Sequence, residues 1–296
     1  SSDVCSSDLI ITWSFTDEET LKLFEEKEKF LKITNPISSE LSCMRSNLLP
    51  NILSAIKKNI NKNVVNFSFF ELGPVFLGKE PNEQYDNICV VRSGKINEKS
   101  WMDKERNLDF FDIKADLSAV LNCLNIDINN LDILRQSKPY YHPGKSASLL
   151  ISDQTVGFFG ELSPVILNSF NIKNQLVAFE LNLTKLQKFL KKKEKSKNPL
   201  VTSQYQASKR DFSFEIDKEI FSLEIIKLIK NTDHKLIKDV KVFDSYEGEK
   251  INENKKAVGF EVTIQSNEKT LTDDEINEIS KNIISKVKKK YNAKLR

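Results

Sequence analysis

The sequence predicts an α+β protein made of two units, each built on an antiparallel sheet. Three observations carry this expectation. The chain has 296 residues, 39% of them hydrophobic, which is enough for real cores and more than a single core usually holds. Strand-like runs with period-two alternation fall between helical stripes without a regular βαβ order. A charge run ending in proline, KFLKKKEKSKNP at residues 188–199, has six Lys against one Glu and is the best boundary in the chain. The expected division is residues 1–9 as a non-native or truncated extension, 10–190 as the first unit, 191–202 as a Lys-rich linker and 203–296 as the second.

Residues 1–9, SSDVCSSDL, are Ser/Asp-rich and join abruptly to the strand-like IITWSF at 10–15. A charged helix is expected around 16–29. From Leu48 the residues Leu49, Ile52, Leu53, Ile56 and Ile60 recur at helical spacing, so 46–61 reads as a helix buried along one stripe. FSFFELGPVFLG, residues 67–78, reads as a strand, a turn at Gly73-Pro74 and a partner strand. DNICVVRSG, 86–94, is a strand. DFFDIKADLSAVLNCLNI, 109–126, starts a helix near Asp112 with Ile113, Leu117, Val120, Leu121 and Leu124 inward, and Cys123 is expected in that core. Residues 146–151, 155–161 and 176–182 complete the sheet.

The second unit is clearer. Strands at 211–216, 239–246 and 255–265 alternate with helices at 222–232 and 273–290, and NAKLR closes as a short strand. That order, βαββαβ, is the ferredoxin-like arrangement: one four-stranded sheet with both helices on one face. Thr272 with Glu275 forms a capping box for the last helix, and Lys288, Lys289 and Lys290 sit at its negative end. Alternation puts Phe212, Phe214, Ile216, Val240, Val242, Val258, Phe260, Val262 and Ile264 inward. It leaves Phe243 as an aromatic on an otherwise polar open face, with Lys241, Gly259, Glu261 and Thr263. An open sheet with an aromatic and nearby cations suits an unpaired RNA base; packing of Phe243 against a neighbouring domain is the other reading.

Composition narrows the function further. With 45 basic and 42 acidic side chains the net charge is +3, so no polyanion partner is implied. Only six of the basic residues are arginine, in a chain that uses lysine by default, so each Arg is expected where a planar, bidentate donor is needed. The four Cys and two His are scattered with no zinc-ligand spacing. Neither a G-x-x-x-x-G-K-[ST] loop nor a G-x-G-x-x-G turn occurs, and no carboxylate pair stands out. No run of about 18 apolar residues suggests a membrane span. The chain lacks an initiator Met and a signal segment, and the expectation is an incomplete, cytoplasmic protein without self-sufficient catalysis.

The ordered motifs NPISSELSCMRSNLLPNIL, FFELGPVF, FFDIKADLSAVL, YYHPGKSASLLI and VGFFGELSP closely resemble the beta chain of bacterial phenylalanine–tRNA ligase. KRDFSFEI, KVFDSYEG, KTLTDDEI and AKLR resemble its ferredoxin-fold anticodon-binding domain. The resemblance runs from about residue 10 to Arg296. It implies a class II synthetase-like antiparallel sheet module followed by the ferredoxin-like domain. It also implies an alpha2 beta2 heterotetramer with the alpha chain, tRNA(Phe) as partner, and ATP and magnesium used by the holoenzyme but bound by none of this fragment.

Aligning Glu71 of FFELGPVF with the motif-two Glu places Phe69 where a class II site needs an Arg on the ATP phosphate. GFFGELSP likewise lacks the Arg of a glycine-rich motif, so no catalytic residue is expected. Arg45, Phe69 and Glu71 are then expected at the alpha-chain interface. The resemblance carries over Arg210, Phe243, Tyr246, Lys241 and Lys269 as tRNA contacts. Asp211, Asp244, Gly248 and Arg296 carry over as structural motif residues, with Asp244 pairing Arg210 and Gly248 in a turn of positive φ. Lys269 stands where the family usually has Arg, and Ala115 and Asn292 where it has Gly. The alternative is a stand-alone RNA-binding or assembly module.

Overall fold

The structure, a computed structural model, describes residues 7–25, 30–96, 101–102, 104–190, 202–248 and 251–296. It divides at residue 197 into two compact units, each taken here by itself. Most of the Lys-rich linker, 191–201, and residues 26–29 of the segment expected as a charged helix around 16–29 lie outside the described residues; among those described, the helix is confined to Glu18–Lys22.

The first unit opens with β1 (Asp8–Leu9), β2 (Phe15–Thr16) and α1 (Glu18–Lys22). Then come β3 (Cys43–Met44), α2 (Leu49–Ile60), β4 (Phe67–Phe76), β5 (Gln84–Ser93) and α3 (Phe110–Cys123). β6 (Asp132–Leu134), β7 (Tyr141–Ile151), β8 (Gln154–Leu162), α4 (Pro164–Ser169), β9 (Leu176–Asn182) and α5 (Leu183–Phe189) complete it. Seven strands form one sheet in the order β1-β4-β5-β9-β8-β7-β6, antiparallel except for β1 beside β4.

Alternation along the strands feeds two cores, one on each face of this sheet. On β5, Cys89 and Val91 join α2 and α4 in one core, while Val90 joins α3 and α5 in the other. β9 divides likewise, Leu176 and Ala178 against Val177, Phe179 and Leu181, which is why residues 176–181 are apolar except for Glu180. The α2 stripe Leu49, Ile52, Leu53 and Ile56 is fully buried, each side chain contributing roughly 1.5–3 kcal/mol. α3 begins on a reciprocal Asp109–Asp112 capping box. Arg106 forks onto the Asp112 carboxylate through two 2.8 Å bonds and holds it below its ordinary range.

Several expectations need correction. Residues 67–76 form one straight strand with no turn at Gly73-Pro74, because both residues serve the strand edge. Pro74 donates no hydrogen bond, its carbonyl accepts from Arg45 Nε at 2.9 Å, and Arg45 O accepts from Phe76 N at 2.9 Å. Asp8 and Leu9, set aside with residues 1–9, pair with Phe69 and Phe70. IITWSF yields only the strand at Phe15–Thr16, although Ile10 N still donates to Phe70 O at 2.9 Å. α2 starts at Leu49, where Asn47 Oδ1 accepts from Leu49 N at 2.8 Å, and Cys123 is exposed at the end of α3.

The second unit contains β10 (Ser208–Asp217), α6 (Ser222–Lys230), β11 (Ile237–Tyr246), β12 (Lys255–Ile264), α7 (Asp273–Tyr291) and β13 (Lys294–Leu295). The sheet order is β11-β12-β10-β13, antiparallel throughout: the ferredoxin-like arrangement. Phe212, Phe214, Val258 and Phe260 pack beneath Ile225 and Ile229 of α6 and Ile276, Ile279, Ile283 and Val287 of α7. Val242 departs from the expected pattern. It shares the inner parity but stays 39% exposed on the outermost strand, beside a register shift. α7 ends at Asn292 in the left-handed region (φ 48°, ψ 35°), a conformation asparagine adopts at little cost in place of glycine.

Candidate nucleic-acid interface

Among the described residues of the second unit, the open face of the sheet gathers Lys209, Asp211, Glu215, Lys241, Phe243, Tyr246 and Glu261. β11 pairs Val242 with Phe260 and then Asp244 with Gly259, which leaves Phe243 as an extra residue, a β-bulge. Its ring is 59% exposed and lies across Gly259: a Cβ built there would stand 2.8–3.1 Å from three ring carbons. Glycine at 259 is therefore what lets the outer end of the ring approach the neighbouring strand so closely. Tyr246, 43% exposed, follows on the same strand, and its phenol end fills the space a Cβ at Gly248 would need. Gly248 does not adopt positive φ; close approach by that ring, rather than a turn, is its requirement.

The charges around the two rings are mixed. Lys241 stands 3.5 Å from Asp239, Lys209 3.0 Å from Glu261 and Lys255 3.9 Å from Glu215. The face therefore offers aromatic surfaces bordered by paired ions, not a field of positive charge. Such a surface suits a flat, unpaired base better than a phosphate row.

The other expected contacts lie elsewhere. Strand parity puts Arg210 with Phe212 on the helix-covered face, where Nη2 lies 3.8 Å from Asp273 at the start of α7 and Nη1 donates to Lys209 O at 3.1 Å. The expected Arg210–Asp244 pair is thus replaced by Arg210–Asp273. Lys269 bonds Glu275 at 2.5 Å and holds that carboxyl below its usual range, so it too belongs to the first turn of α7. Asp211 points to the open face beside Glu261. Arg296 N donates to Ser213 O at 2.9 Å and fastens the terminal strand. The structure thus separates Lys241, Phe243 and Tyr246 from Arg210 and Lys269.

In the first unit the polar residues on the α2 face of the sheet are buried and engaged with one another. Arg45 Nη1 bonds Glu71 Oε1 at 2.6 Å, and both side chains are at most 3% exposed. Arg45 Nη1 also donates to Thr12 Oγ1 at 3.0 Å, and Thr12 Oγ1 donates to Glu71 Oε2 at 2.7 Å. Gly73 makes room for the guanidinium, since a Cβ there would lie 2.6 Å from Nη2. Phe69 is buried and stacked on Phe67 at 5.0 Å. The interface expected at Arg45, Phe69 and Glu71 is corrected accordingly: all three are internal and offer a second chain almost no side-chain surface.

Register extends this band across the sheet, from Glu71 to Cys89 to Glu180. Glu180 accepts from Tyr141 Oη at 3.0 Å and also bonds Tyr140 and Asn47, while Asn47 Nδ2 donates to Tyr140 Oη at 2.9 Å. Burial pushes the Glu180 carboxyl up to about 7 against these bonds, and it also raises the Tyr140, Tyr141 and Cys89 groups. Sequence reasoning missed this network. Its one signal was a lone Glu within the apolar VAFELN. The band does not fit a nucleotide triphosphate: its one arginine is already held by Glu71, and Phe69 brings a ring rather than a cation. Among the described residues no three His, Cys, Asp or Glu side chains are grouped to hold a metal, and no helix is long and apolar enough to cross a membrane.

Comparison with known proteins agrees with both units. The family described as phenylalanyl tRNA synthetase beta chain CLM domain matches residues 8–183, and the ferredoxin-fold anticodon binding domain matches residues 203–296. The phenylalanine–tRNA ligase beta subunit of Paramagnetospirillum magneticum (strain ATCC 700264 / AMB-1) is 35% identical over 286 residues, 97% of this chain and 36% of that protein. That of Rickettsia bellii (strain RML369-C) is 35% identical over 290 residues, 98% of this chain and 33% of the relative. The chain thus spans about a third of the length of these curated relatives. Among solved structures, pyrrolysyl-tRNA synthetase from Desulfitobacterium hafniense aligns over 62% of this chain and 63% of its own, with a TM-score of 0.47 and 13% identity. With one family covering most of the first unit and the anticodon-binding fold covering the second, the chain belongs to the phenylalanyl-tRNA synthetase beta chain family.

Proposed function

We propose that this chain serves phenylalanine–tRNA ligase as a non-catalytic part of its beta subunit. In this reading it packs on an alpha chain in an alpha2 beta2 assembly and holds tRNA(Phe) in the cytoplasm, while the partner chain binds ATP and magnesium and carries out the ligation. The observation that carries the RNA role is the exposed Phe243 ring, its outer end over Gly259, with the half-exposed Tyr246 further along the same strand. Two aromatic faces on an open sheet are a stacking platform for unpaired bases. Lys241 borders that platform, whereas Arg210 and Lys269, on the helix side, are assigned to ordering the start of α7. The exposed apolar side chains Leu9, Ile11, Trp13 and Leu72 support packing against a partner chain. The internal pairing of Arg45 with Glu71 supports the absence of catalysis.

Two measurements test the reading. Phe243→Ala is expected to weaken tRNA binding by roughly 1–3 kcal/mol in a fluorescence anisotropy titration. Unchanged affinity with an unchanged circular dichroism spectrum would remove the ring from the interface. Co-expression with the alpha chain of the same source is expected to yield one co-purifying complex. Recovery of two separately folded chains would favour the stand-alone RNA-binding module.

A further inference from the structure

Three elements of the first unit enclose a cleft of about 390 Å³ well away in sequence from the β11 platform. α1 contributes Thr20, the last two turns of α2 contribute Ser54, Lys57 and Lys58, and the end of α4 contributes Ser169 and Phe170. Among the described residues the wall is cationic without counter-ions: α2 carries no Asp or Glu, none of the described lining residues is a carboxylate, and neither lysine forms an ion pair. By contrast, neighbouring Lys22 and Lys32 are both held by Glu18, at 3.2 and 2.6 Å. Lysines in the last turn also offset the helix dipole, but that role explains neither the absence of acids among the described lining residues nor the hydroxyls beside them.

Those hydroxyls have a definite polarity. Ser54 Oγ donates to Pro50 O and Ser169 Oγ to Val165 O, each at 3.1 Å, so both oxygens are left as acceptors. Ser54 lies one turn before Lys57 and Lys58 on the same face of α2, and Ser169 adds a second acceptor from α4. Acceptors suit the hydroxyl groups of a sugar, and the ammonium groups next to them suit a phosphate. Phe170, 7% exposed, gives the cleft an apolar floor for the sugar or base edge. We infer that this cleft binds a ribose phosphate ester, supplied by an RNA backbone or by a free nucleotide, as a contact separate from the β11 platform. An acidic peptide would use the lysines and could offer backbone N–H groups to the serine oxygens, so poly-glutamate is the competitor that separates it from a ribose phosphate.

The test uses the full chain with a fluorescein-labelled RNA hairpin, a DNA hairpin of the same sequence, AMP and poly-glutamate. Lys57→Gln/Lys58→Gln is expected to reduce the slope of log Kobs against log[salt] by about 1–2, since each phosphate contact contributes roughly 0.7–0.9. Ser54→Ala/Ser169→Ala is expected to leave that slope intact and to narrow the preference for RNA over DNA. Neither change is expected from a merely structural role. AMP binding lost in the lysine variant while RNA binding is untouched would identify the free nucleotide as the occupant. An unchanged slope and unchanged AMP binding would overturn the inference, as would poly-glutamate displacing RNA as effectively as unlabelled RNA does. Phe243→Ala, run in parallel, keeps the two sites apart: a loss confined to it refutes the cleft alone, and a loss confined to the lysine variant refutes the platform alone.

Discussion

Glu71→Ala is expected to lower the unfolding free energy of the first unit by about 3–5 kcal/mol, because it strands a buried cation. Arg45 and Glu71 meet at 2.6 Å with side chains 3% and 2% exposed. With the carboxylate gone, the guanidinium keeps the Pro74 carbonyl and the Thr12 hydroxyl, both neutral, and no second acid is within reach. The pair itself is a different matter. Replacing both partners by apolar groups of similar volume is often neutral or better, so Arg45→Met/Glu71→Met is expected to recover most of the loss. Both tryptophans, Trp13 and Trp101, lie in the first unit, so urea titrations followed by tryptophan fluorescence report on it selectively. A single variant within 1 kcal/mol of the parent, or a double variant no better than the single, would contradict the buried-charge account.

Glu180→Gln is expected to flatten the pH dependence of the same unit. Burial raises the folded-state carboxyl to about 7 from an ordinary value of 4.5. The folded protein therefore holds a proton that the unfolded chain has already released. The associated stability is fully present below pH 4.5 and is lost as pH rises through about 7, a change on the order of 3 kcal/mol. The groups facing it do not titrate in that window, since burial moves Tyr140, Tyr141 and Cys89 upward and away. The amide keeps an acceptor for the Tyr141 hydroxyl and has no charge to desolvate. Urea midpoints at pH 5 and pH 8 decide the matter: a parent protein as stable at pH 8 as at pH 5 would rule out Glu180 as a buried titrating group.

The second unit was legible because each level of its sequence agrees with the next. Period-two strands, a capping box at the start of α7 and an αL-tolerant residue after it all specify one topology. The first unit was harder where a local signal had a tertiary cause. Gly73-Pro74 looks like a turn, but the glycine admits a guanidinium from a residue 28 positions earlier and the proline sits where no ladder bond is needed. The Asn47–Tyr140–Glu180 network joins segments more than a hundred residues apart, and periodicity does not report such pairing. Arg210 was different: its parity with Phe212 was visible in the strand, and grouping it with Phe243 overlooked that alternation. Phe243 itself was placed correctly, although the bulge that raises it has no sequence signature of its own.

That bulge also has a consequence for colony-forming contacts between molecules. β11 is the outermost strand of its sheet, and a straight outer strand is a template on which another chain can add. Its ladder is interrupted twice, at Lys238 and at Phe243, so the outward-facing amides do not present an even row. A charged residue and an aromatic thus break the rim at the two places where strand addition would otherwise propagate. The sheet can leave an aromatic open face exposed while denying its own copies an edge to polymerise on.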